Sequence, residues 1–136
     1  MINPTEIIKA RGAGEIRYSV LTDYSGDLNS VLAKFGLVSN QSLLVEHDRS
    51  SAVAILTVLL EKDMAYDGQL MSTDRAVALA EEIVKSHETQ ASKFYSNGNW
   101  AKKESWNPFT DSTFDAGLII TTDDHRYFCI WFQDED

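Results

Sequence analysis

Apolar positions along this chain recur with two different periods, and the changes between them mark its elements. From Glu15 to Val20 the alternation is strict. Ile16, Tyr18 and Val20 share one side while Glu15, Arg17 and Ser19 share the other, which predicts a half-buried strand. A short helix is expected before it over Pro4 to Ala10, with Asn3 as cap, Pro4 at its first position and Gly12 and Gly14 breaking it. After the strand, Leu28, Val31, Leu32 and Phe35 form one helical stripe behind Asp27, and Gly36 ends it. Ser39 to Ser42 reads as a loop, and Leu43 to Val45 as a short strand.

The segment Ala52 to Leu60 is apolar nearly all round, so its helix must be enclosed by other elements or by a second subunit. Asp48 or Ser50 caps it, and Asp67 and Gly68 mark the turn beyond. The longest helix is expected from Ser72 or Thr73 to about Tyr95. Its stripe runs through Ala76, Leu79, Ala80, Ile83, His87, Ala91 and Phe94, and Asn97, Gly98 and Asn99 end it. Pro108 makes Trp100 to Phe109 an edge strand or ordered loop. The chain then closes on a β-hairpin, Ala116 to Thr122 and Tyr127 to Phe132, joined through Asp123, Asp124, His125 and Arg126. In its second strand Tyr127, Cys129 and Trp131 face one way and Phe128, Ile130 and Phe132 the other, so both faces need cover. The predicted fold is α+β: one domain of about four helices on a small, mainly antiparallel sheet that includes the C-terminal hairpin.

At 136 residues the chain fits one domain and can bury a core without a disulfide or metal staple. Its net charge of −9 is unevenly placed. Residues 104–136 hold eight carboxylates against one cation, Arg126, whereas residues 1–103 hold thirteen acids and eleven bases. A field of that sign repels phosphate, which argues against direct nucleic-acid binding and against anionic membranes. The apolar run Ala52 to Leu60 falls short of the roughly 20 residues a bilayer requires. A single cysteine, Cys129, and an opening without a basic and apolar leader lead us to expect a cytoplasmic protein.

Candidate chemistry is sparse. His47, His87 and His125 match no compact metal-ligand spacing, and no serine sits in a nucleophile elbow. Cys129 lies among aromatics and reads as a buried, inert thiol. Gly12 and Gly14 lack the third glycine of a dinucleotide loop. No catalytic residue, metal or cofactor is therefore assigned.

What stands out is acid beside large rings. In size and acidity the chain resembles the small immunity proteins and inhibitors of bacteria and phages, a resemblance that rests on no motif. It implies a non-catalytic protein that neutralises a basic partner, such as a toxin or a nucleic-acid-processing enzyme. Asp123, Asp124, Asp134, Glu135 and Asp136 would attract that partner, with Trp106 as anchor. Two alternatives remain open. One is a small enzyme or ligand-binding domain with a pocket between the long helix and the sheet, lined by His87, His47 and the aromatic segment. The other is a homo-oligomer, simplest as a homodimer, in which Ala52 to Leu60 and the hairpin bury each other across a two-fold axis.

Overall fold

Each helix begins where a short polar side chain can accept the first free backbone N–H groups. In the computed structural model, which describes residues 3–135, Asn3 Oδ1 accepts from Thr5 N at 2.9 Å and opens α1 (Pro4–Arg11). Asp27 accepts from Ser30 N at 2.8 Å and opens α2 (Leu28–Lys34). Asp48 accepts from Ser51 N at 2.8 Å and opens α3 (Arg49–Glu61). Ser72 accepts from Arg75 N at 3.2 Å and opens α4 (Thr73–His87). Gly12 closes α1 at φ 69°, in the left-handed region that glycine enters without strain.

Five strands complete the α+β domain: β1 (Glu15–Leu21), β2 (Val45–His47), β3 (Lys93–Ser96), β4 (Phe114–Thr121) and β5 (Tyr127–Asp134). They form one antiparallel sheet in the order β1-β5-β4-β3-β2. The C-terminal hairpin of β4 and β5 is thus the centre of the sheet, and its apolar residues are buried except at the ends, where Phe114 and Tyr127 are half-buried. Phe94, Ala116, Leu118, Ile120, Phe128, Ile130 and Phe132 pack under α1, α3 and α4. Ile119, Cys129 and Trp131 pack on the opposite face under α2, Leu37 and Phe109.

The helix apolar on nearly all sides, α3, is enclosed by α4 and by β4 within one chain. Ala52, Ile55, Leu56, Leu59 and Leu60 are buried there, while Val53 and Val58 are half-buried and Ala54 is exposed.

Two expectations need correction. The long helix ends at His87, not near Tyr95, and residues 93–96 form a strand paired on both sides. Phe94 satisfied the helical stripe by spacing, yet Phe94 and Ser96 also alternate with Lys93 and Tyr95. Pairing with Ile120 and His47 decides between the two readings. Likewise the short strand expected over Leu43 to Val45 begins only at Val45, because a 3-10 turn takes Gln41–Leu43. The segment after Trp100 is an ordered loop rather than an edge strand.

That loop is fixed by a buried carboxylate. Asp115, fully out of water, accepts from Phe109 N at 3.0 Å, Thr110 N at 3.2 Å, Thr110 Oγ1 at 3.0 Å and Trp131 Nε1 at 3.0 Å. Gly117 lies opposite Trp131 in the ladder, and a Cβ there would run into the Ile130 carbonyl and the indole ring.

Candidate binding surface

The hairpin sorts the acidic residues by position along its length. Its two eight-residue strands put the turn and the chain end roughly 25 Å apart at about 3.3 Å per residue. Asp123 and Asp124 stand exposed in the turn, while Asp134 and Glu135 lie at the opposite end. Trp106 belongs to that opposite end as well, since its ring lies 6.2 Å from Phe114 at the start of β4. The anchor and the turn acids therefore form no single epitope.

Asp134 is a correction of a different kind. It is 3% exposed and bound by Arg11, with Nη2 to Oδ2 at 2.6 Å and Nη1 to Oδ1 at 2.8 Å, and it also accepts from Met64 N at 2.9 Å. Burial pushes its pKa up, but the Arg11 hydrogen bonds, the Met64 N–H and the Arg11 charge outweigh this and hold it below the usual range. A carboxylate so occupied has nothing left for a partner. Glu135 is exposed and accepts from Thr113 Oγ1 at 2.5 Å and Thr113 N at 3.2 Å, contacts that lower its pKa. Asp136 lies outside the described residues.

At the turn end the fold gathers groups that the sequence kept apart. Tyr24 N donates to His125 O at 3.3 Å, so the loop before α2 lies against the hairpin turn and carries Asp23 and Asp27 with it. Lys93, Tyr95, Thr121 and Tyr127 share one face through the pairings Lys93 with Thr121, Tyr95 with Ile119 and Thr121 with Tyr127. With Leu28, Ala91, Thr122 and Asp123 they line an open groove of about 360 Å³. Tyr127 is further braced edge-on by Tyr24 at 6.3 Å. The Thr122 hydroxyl, and after it the Arg126 charge, keep Asp124 below the ordinary carboxylate range, so it is ionised at neutral pH. Burial raises the Tyr95 phenol, and the Glu46 charge adds to the effect.

Sequence reasoning missed Tyr95, Tyr127 and Leu28 as surface residues. The helical stripe carries the predicted long helix to about Tyr95, and the contrary hint is the polar–apolar alternation of residues 93–96. Nothing local signals that Leu28, 99 residues from Tyr127, shares its groove.

The histidines do not assemble a pocket. His87 stacks on Phe128 with ring centroids 3.8 Å apart, and its Nε2 lies 2.5 Å from the Tyr18 hydroxyl. The space beside it, about 10 Å³, is room for about one water at most. His47 is on β2, beyond β4 and β3 from Phe128, and its Nε2 meets Gly98 O at 2.8 Å. Among the described residues no group of three or more histidines, cysteines or carboxylates is placed to hold a metal ion, and no helix is long and apolar enough to cross a membrane.

Comparison of the chain with protein-family models, with characterised proteins and with solved structures gave no match.

Proposed function

We propose that this is a non-catalytic binding protein that captures a basic segment of a partner protein in the groove at the hairpin turn. The observation that carries the reading is the composition of that groove. Tyr95, Tyr127 and Leu28 supply apolar and aromatic wall, and Asp123 stands on the rim with Asp124 next to it in the turn, the latter paired with Arg126 at 3.3 Å. Lys93 is the one cation lining it. Tyrosine gives large contact area at low entropic cost, and fixed negative charge speeds the encounter with a basic surface.

The partner we favour is a basic toxin or a nucleic-acid-processing enzyme. The surface such a protein turns toward phosphate is positive, and an acidic occupant would block it. Cytoplasmic residence fits a chain whose one thiol is buried and unpaired. Relative to the expectation from sequence, the acids retained are Asp123 and Asp124. Asp134 leaves the interface because Arg11 occupies it, and Trp106 leaves it because it lies at the other end of the sheet.

Affinity capture from the native cells tests this, comparing the wild type with Asp123→Lys/Asp124→Lys and with Tyr127→Ala. The wild type should retain a basic protein whose association slows by roughly tenfold or more as salt rises, and both variants should lose it. A partner that binds the charge-reversed protein as well as the wild type, with no salt dependence, sinks the reading.

A further inference from the structure

On the α3 side, at the other end of the sheet from that groove, the loop after β3 turns two indoles toward one recess. Trp100 and Trp106 lie 5.7 Å apart at an interplanar angle of 63°, an edge-to-face corner rather than a stack. Phe114 backs Trp106 at 6.2 Å. The recess measures about 140 Å³ and is lined by Trp100, Trp106, Glu104 and Lys103. Both indoles are half-buried, which leaves part of each ring open to water.

The corner is held by local structure on each side. Asn99 Oδ1 accepts from Lys102 N at 3.2 Å and caps the 3-10 turn Trp100–Lys102, whose residues pack on α3. Gly98 sits directly under Trp106, where a Cβ would come within 2.7 Å of Ser105 O and 3.1 Å of the Trp106 Cβ. Asn97 is fully buried and ties the two arms of the loop together, donating to Asn107 O at 2.9 Å and Asp115 O at 2.7 Å.

We propose that this corner binds an alkylated ammonium group. The face of an indole carries the negative part of its quadrupole and attracts a cation held over it, and the second indole adds apolar wall for the cation's alkyl shell. A carboxylate on the wall completes the field. A permethylated ammonium suits such a site better than a bare one, because it has no N–H to lose from water and a methyl shell to set against the rings. Lys103 is the only cation at the wall. Its Nζ is drawn 3.4 Å from Asp67 Oδ1, and the two cation-over-ring contacts of the described residues, Arg11 on Phe132 and Lys34 on Tyr24, involve neither indole. The ring faces are therefore not taken by the chain's own lysine.

The ammonium could arrive free, as in a choline-like molecule, or on the side chain of a methylated lysine. Indole Nε1–H resonances report on it directly and carry an internal control, since Trp131 Nε1 is bonded to Asp115 on the other face of the sheet. Titration with tetramethylammonium chloride at fixed ionic strength should move the Trp100 and Trp106 signals saturably and leave Trp131 unchanged. Glu104→Gln, an exposed and fold-neutral change, should weaken binding about threefold, and Trp106→Ala should abolish saturation. Lys103→Gln should strengthen it. Choline binding more tightly than a trimethyllysine peptide indicates the free molecule, and the reverse order indicates a modified protein tail. Equal shifts with sodium chloride, equal affinity for the unmethylated peptide, or wild-type saturation in Trp106→Ala would overturn the assignment. None of these outcomes bears on the groove at the hairpin turn.

Discussion

Arg11 and Asp134, separated by 123 residues, meet through two hydrogen bonds of 2.6 and 2.8 Å with both side chains out of water. Arg11 is also shared with the rest of the fold. Its Nε donates to Leu59 O at 2.7 Å, its Nη1 to Ala13 O at 2.9 Å, and its guanidinium lies 4.9 Å over the Phe132 ring. Asp134 in turn accepts from Met64 N. One buried pair thus ties the end of α1, the end of α3, the α3–α4 connection and the last strand.

Removing one member leaves the other charged and buried without its counter-charge, which costs about 3–5 kcal/mol. Arg11→Met and Asp134→Asn should each lower the unfolding free energy from urea titration by that amount. The double variant Arg11→Met/Asp134→Leu should recover only the part due to the unpaired charge, because the Leu59 carbonyl and the Met64 N–H still lose their partners. Single variants within about 1 kcal/mol of wild type would mean that the pair is not closed in solution.

This pair also shows where reading the sequence stops. Asp134 sat in a run of terminal acids and looked like surface, because nothing nearby in the chain announces a partner 123 positions away. Local signals did well. Asn3, Asp27, Asp48 and Ser72 cap the helices that were expected, and the alternation of Glu15 to Val20 and of Tyr127 to Phe132 gave strands with the right faces. The errors arose where one pattern fits two periods, as at Phe94. They also arose where a site is made by strand register, as with Tyr95 beside Tyr127.

His87 predicts a dependence on pH. Burial, with Arg126 nearby, lowers its pKa below 6.5, so the folded protein prefers the neutral ring stacked on Phe128. Below 6.5 the unfolded chain takes up a proton that the folded one resists. Stability is therefore complete above that pH and is lost as pH falls through the window between 6.5 and the folded value. Asp134, also lowered, adds a second loss in the same direction but below its ordinary 3.8. Urea midpoints on both sides of 6.5 should differ for the wild type and not for His87→Gln. A midpoint that rises on acidification through 6.5 would contradict the buried ring.

Cys129 should be silent in the native state. It is 1% exposed, in the core beneath α2, and burial pushes its thiol far above the usual range. A disulfide reagent at neutral pH should label it only as fast as the protein opens, and at once in denaturant. Prompt labelling without denaturant would show that α2 does not cover the sheet.

Asp115 makes the sharpest prediction about the loop that carries Trp106. Its carboxylate faces only donors: the Phe109 and Thr110 N–H groups, the Thr110 hydroxyl and the Trp131 indole. Asparagine has almost the same shape, but its amide turns two hydrogens toward that set and leaves at least one buried donor without an acceptor. An orphaned donor costs about 1–3 kcal/mol, so Asp115→Asn should be destabilised by that amount despite losing only a charge. Thr110→Val, which keeps the carboxylate and removes one of its donors together with the acceptor of the part-buried Ser112 N–H, should cost less. If the carboxylate fixes the loop, Asp115→Asn should also shift Trp131 emission to the red, because Phe109, packed 5.6 Å from its ring, loses its tether to the sheet. Unchanged emission together with unchanged stability would mean that Phe109 and Trp131 hold the loop by packing alone.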